Sequence, residues 1–78
     1  MKEITKIYVE LLGEGVPVWR PVDAIQQGNS IFLICEQEIP EDECWKFLPG
    51  ETVVVEEQIK DGQQILVAVE LAKLYHSS

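Results

Sequence analysis

Residues 51–72 read ETVVVEEQIKDGQQILVAVELA, in which Val53, Val55 and Ile59 share one parity, as do Ile65, Val67, Val69 and Leu71, and Asp61-Gly62 stands between. Apolar residues at a spacing of two, rich in β-branched types, predict strands. Asp-Gly is a pair that accepts the left-handed backbone of a tight hairpin turn. The stretch therefore reads as a β-hairpin. Working outward, Ile31, Leu33 and Cys35 alternate with Phe32, Ile34 and Glu36, and Ile7, Val9 and Leu11 alternate with Tyr8 and Glu10. Turn signals separate these runs at Gly13-Glu14-Gly15, Gly28-Asn29, Pro40 to Glu43 and Pro49-Gly50. The pattern predicts strands over 4–12, 16–26, 30–37, 51–60 and 63–72, with a short helical turn within Pro40 to Leu48.

The 78 residues allow one compact domain, 1–78, whose last residues, 73–78, are expected to fray. A chain of this size buries roughly 60–65% of its unfolded surface, enough for one thin core. A flat sheet of five short strands would leave one face wet, so the strands are expected to curl into a small barrel. An SH3-like barrel suits the strand count and the short turn before strand four. The OB-fold is the rival, but it usually carries a helix between strands three and four, and Pro40 to Leu48 is too short for one of normal length.

Val16-Pro17-Val18-Trp19-Arg20-Pro21-Val22 sets two prolines inside a strand pattern. Positions 17, 19 and 21 share one side of the strand, and proline has no N–H, so that side is expected to be an open edge or a bulge. An even loop of two or four residues places Leu11 opposite Val18 and Ile7 opposite Val22, with Tyr8, Pro17, Trp19 and Pro21 on the outer face. A three-residue loop sends Trp19 inward. The first register turns Arg20 toward the core, where a charge needs a partner or a bulge to relieve it.

The formal charge is −8, with 14 acidic against 6 basic residues. Nucleic-acid affinity comes largely from Lys and Arg on phosphates, so nucleic acid is not an expected partner. Neither is an anionic membrane surface. No apolar run approaches the roughly 20 residues of a membrane span. Met1 to Thr5 carries no secretion signal, and a cytoplasmic location follows, with Cys35 and Cys44 as thiols. Cys35 falls on the parity expected to be buried in strand three, while the acidic neighbours Glu41, Asp42 and Glu43 blunt the reactivity of Cys44.

Catalytic and ligand-binding patterns are thin. Glu36, Glu38, Glu41, Asp42 and Glu43 form an acidic turn that reads as a hydrated loop. It lacks the central glycine of a calcium loop and contains Pro40. Two cysteines and one histidine, His76, fall short of a four-ligand zinc set. No Ser-His-Asp or Cys-His set is expected around that lone imidazole. Gly13-Glu14-Gly15 has no third glycine at position 18 and no following helix, so it is a hairpin loop rather than a dinucleotide cradle. No cofactor or metal is expected. The surviving candidate is a protein-binding surface of Tyr8, Trp19, Arg20, Pro21, Trp45 and Phe47, residue types that dominate binding hot spots. Its structural rival has Trp45 and Phe47 plugging the barrel end while Arg20 pairs with a carboxylate.

The string YVELLGEGVPVWRPV, the later Trp45-Lys46-Phe47, Pro49-Gly50-Glu51 and the closing ILVAVE resemble a group of small uncharacterised bacterial proteins. Those have a Val-Trp-Arg-Pro-Val core, a Trp-x-Phe and a Pro-Gly before a valine-rich strand. The resemblance implies a small all-β domain of bacterial origin and no particular activity. The leading expectation is a non-enzymatic interaction module that binds a protein or itself through the strand-two edge and the aromatic-proline surface. The alternative is an acidic immunity-type inhibitor of a basic toxin or nuclease, acting through Glu36 to Glu43. A third is a small hydrolase or redox protein built on Cys44.

Overall fold

The computed structural model describes residues 3–72. Five strands, β1 (Ile4–Glu10), β2 (Trp19–Gln26), β3 (Ile31–Ile34), β4 (Thr52–Lys60) and β5 (Gln63–Leu71), close into a barrel. Each strand pairs with its chain neighbour, and β1 meets β5 in parallel at Tyr8 and Val67. A meander of this kind has no Greek-key crossover, which separates it from an OB-fold. No helix occurs among the described residues. The stretch from Pro40 to Leu48 holds one hydrogen-bonded turn, from the Glu43 N–H to the Pro40 carbonyl at 3.0 Å.

The β1–β2 register places Ile7 opposite Val22, Tyr8 opposite Pro21 and Glu10 opposite Trp19. The Leu11 N–H donates to the Val18 carbonyl at 2.8 Å, so Leu12 to Pro17 form the loop, an even number of residues but longer than the two or four expected. This is the register that sends Ile7, Val9 and Val22 inward, where all three are fully buried. Each such side chain contributes about 1.5–3 kcal/mol of burial. No bulge occurs at Arg20.

Three facing expectations change. In β3 the buried residues are Phe32 and Ile34, while Ile31, Leu33 and Cys35 are half-buried on the opposite parity. Ala24 is buried in β2 and pairs with Ile34, and the buried Val53 of β4 pairs with Phe32, so both neighbours hold that parity inward. The run is apolar on both parities, and the pairing decides between them. In β4, Val53 and Val55 are buried, but Ile59 is 76% exposed because the ribbon has left the barrel by then. In β5 the register slips between Val54 and Val55, leaving Val69 as the extra residue. Val67 is buried as expected, but Ala68 is buried beside it and the half-buried Leu66 packs on the core, while Ile65 and Val69 are half-buried and Leu71 is exposed.

Tight turns fix the ends of β4. Leu48-Pro49-Gly50-Glu51 closes with Glu51 N–H to Leu48 O at 3.0 Å, and Gly50 has φ of 90°. Proline then glycine is the order a type II turn requires. Asp61 and Gly62, at φ of 50° and 78°, make the two-residue hairpin turn expected from the sequence.

Candidate functional site

The outer face of the β1–β2 hairpin carries Tyr8, Trp19 and Pro21. Tyr8 and Pro21 are directly opposite one another, and Trp19 stands opposite Glu10. Tyr8 and Trp19 are half-buried and Pro21 is exposed. The ammonium of Lys60, from the end of β4, lies 3.7 Å from the centroid of the Trp19 ring. A cation at that distance is attracted by the negative face of the indole.

Arg20 has the inward parity and sits at the barrel end, where it is held by Glu43. Its Nε donates to Glu43 Oε1 at 2.5 Å and its Nη2 donates to Glu43 Oε2. The fork of donors meets both carboxylate oxygens, which is the strong form of this pair. The indole Nε1 of Trp45 also donates to Glu43 Oε1, at 3.0 Å. The hydrogen bond from Arg20 chiefly, with that from Trp45, holds the Glu43 carboxyl below its usual range despite the opposing effect of burial. The same bond to Glu43 raises the Arg20 guanidinium above its usual value.

Trp45 and Phe47 are each only 5% exposed and belong to the core. The Cys44–Lys46 segment lies along the end of β1: Leu12 N–H donates to Cys44 O at 2.7 Å and Lys46 N–H to Glu10 O at 2.9 Å. This short pairing holds both rings in the barrel mouth. Of the six predicted surface residues, Tyr8, Trp19 and Pro21 therefore share the outer face. Arg20 is engaged by Glu43, and Trp45 and Phe47 lie beneath the surface rather than on it.

The N–H and C=O groups of Val18 and its even-numbered neighbours point to β1, so Trp19, Pro21 and Asp23 point the other way. Only Ala24 to Gln26 pair with β3 on that side. At Asp23 the side chain of Gln37 acts as a substitute strand, accepting from Asp23 N–H and donating to Asp23 O, both at 3.1 Å. Beyond it, over Trp19 and Pro21, the edge has no backbone partner among the described residues.

A second feature gave no signal at the level of single motifs. An open cleft of about 700 Å³ lies between the β2–β3 turn and the β4–β5 ribbon. Phe32, Val55 and Leu66 supply apolar wall, and Glu56, Glu57 and Glu70 supply carboxylates. It opens because β3 has four residues against nine in β4, a mismatch that the expected strands over 30–37 and 51–60 do not contain. Glu10 and Lys60, the charged neighbours of Trp19, were also missed. The first follows once the register is known, and the second depends on how the ribbon folds back.

Cys35 and Cys44 are not bonded to each other. Among the described residues, no three His, Cys, Asp or Glu side chains converge as metal ligands, and no helix is long and apolar enough to cross a membrane. Comparison with protein families, curated proteins and solved structures returned no match.

Proposed function

We propose that this chain is a non-enzymatic protein-interaction module that makes contact through Tyr8, Trp19 and Pro21, with the free β2 edge beside them. The observation that carries this reading is the register. Tyr8 opposite Pro21 and Trp19 opposite Glu10 gather two aromatic rings and a proline on one outer face. Rings of this kind bury much area with few rotatable bonds to immobilise. Arg20, Trp45 and Phe47 act from behind: the plug of Trp45 and Phe47 and the Arg20–Glu43 pair keep the hairpin rigid, so little ordering entropy is spent on binding. A bacterial cytoplasmic setting fits two cysteines that are not joined.

Capture of a partner by the wild-type chain from native lysate, lost with Tyr8→Ala and Trp19→Ala while the amide spectrum keeps its dispersion, supports this surface. Retention of the partner by both variants rules it out. Reversing the exposed Glu36, Glu38, Glu41 and Asp42 separates the acidic-inhibitor reading. If that reversal abolishes capture and the aromatic substitutions do not, the acidic loop is the contact instead.

A further inference from the structure

β4 has a free edge of its own, and it differs in kind from that of β2. The Val55 N–H donates to the Ser30 carbonyl at 2.7 Å, which shows that Val55 faces the β3 side. By strand alternation Glu57 and Ile59 face the same way, while Glu56, Gln58 and Lys60 turn their backbone groups to β5. β3 pairs with β4 only from Thr52 to Val54. Past Ser30 the chain turns away into the β2–β3 turn, so the N–H and C=O groups of Glu57 and Ile59 have no backbone partner among the described residues. Ile59, at 76% exposure, is the most exposed large apolar side chain among them.

The cleft lies along this unpaired edge. It offers apolar wall from Phe32, Val55 and Leu66, and carboxylates from Glu56, Glu57 and Glu70. None of the described basic side chains lines it. Lys6 pairs with Asp23, Arg20 with Glu43 and Lys46 with Glu10, while Lys60 lies over Trp19. An edge with open donors and acceptors, an apolar trough and uncompensated negative charge has the complement of one kind of ligand. We propose that the Glu56–Ile59 edge of β4 docks an extended, basic segment of a partner protein, which adds as a strand in line with β3.

Main-chain hydrogen bonds to Glu57 and Ile59 would supply affinity, and alternate side chains would enter the cleft or meet the carboxylates. A second copy of this chain is the wrong occupant. It would bring Glu56 and Glu57 against their own kind, and like charges across strands destabilise the pairing. The site adjoins the Tyr8–Trp19–Pro21 face only where Lys60, next to Ile59, lies over Trp19, and Tyr8 and Pro21 do not line the cleft.

The test titrates the intact chain with a short synthetic peptide that alternates lysine and valine, followed by amide NMR and hydrogen exchange. Binding is expected to shift and protect the Glu57 and Ile59 amides, and to leave the Tyr8 signals in place. Glu56→Lys with Glu57→Lys, both at exposed positions, is expected to weaken binding by about tenfold or more, with the loss shrinking at high salt. Ile59→Pro removes one outward N–H and is expected to weaken it as well. A peptide with glutamate for lysine is expected not to bind. The proposal is overturned if the basic peptide leaves the Glu57 and Ile59 amides unprotected or binds the charge-reversed chain equally well. It is also overturned if the peptide shifts the Tyr8–Trp19 face instead, or if sedimentation shows the chain already dimerised through this edge.

Discussion

Two of the strand edges that neighbouring strands leave uncovered, on β2 and on β4, are treated in opposite ways. On β2, the free side carries Trp19 and Pro21, of which Pro21 has no N–H, the preceding loop ends on Pro17, which has none either, and the Gln37 side chain covers the next position at Asp23. On β4, Glu57 and Ile59 keep both donor and acceptor, and the deterrent is charge from Glu56 and Glu57. Proline forbids strand addition by any chain, whereas carboxylates forbid it only to chains that are not basic. The first edge is therefore suited to side-chain contacts on its outer face. The second remains selectively open. β1 is met by β5 at Tyr8 and Val67 and by the Cys44–Lys46 segment further along.

The largest effect on this contrast comes from the plug. Trp45→Ala removes a buried indole from the barrel mouth next to β2 and takes a hydrogen bond from Glu43. A loss of about 3–5 kcal/mol in denaturant unfolding is expected. A small change would mean that the mouth is not closed by this ring and that the β2 face is not rigidly supported.

The Arg20–Glu43 pair is next. Glu43 has a folded value below its unfolded value of about 4.5, so the folded protein binds the proton less readily. Its contribution is present above the unfolded value and is lost as pH falls through the folded one. The raised Arg20 value acts only at the alkaline extreme, where its contribution is lost as pH rises through the folded value. Stability is thus expected to fall as pH drops below about 4.5, and Glu43→Gln is expected to flatten that part of the profile. An unchanged acid profile in the variant would remove Glu43 from the account.

Much of this was legible beforehand, for reasons that differ by region. Ile7 and Val9 have polar or aromatic neighbours, so β1 had one consistent inward set, whereas the partner Val22 depended on a loop parity that the sequence left open. The prolines at 17 and 21 likewise announced an unpaired side. β3 was not legible because IFLIC is apolar on both parities, and only pairing with Ala24 and Val53 selects Phe32 and Ile34. The slip at Val69 in β5 was invisible for a related reason, since ILVAV offers an apolar residue at every position. Trp45 and Phe47 share a parity that a surface or a plug would equally use. The strand-like bridge of Trp45 to Leu11 is what turns them inward. Lys60 reaches Trp19 only because the ribbon folds back, which no local pattern encodes.

The smallest effect is the most pointed. Pro21→Val restores a donor to the β2 edge at a site that is exposed, with a stability change of about 1 kcal/mol or less. Self-association in sedimentation at high concentration is expected to rise. No rise would show that the proline is not what keeps this edge single.

The two edges differ in which amides lack a partner, and native-state hydrogen exchange reads them one by one. Trp19, Glu57 and Ile59 are predicted to exchange at rates near those of open chain, while Val55, bonded to Ser30, and Cys35, bonded to Asp23, are predicted to be slowed by the fold. Protection of Glu57 and Ile59 equal to that of Val55 would contradict the free β4 edge and the docking site built on it.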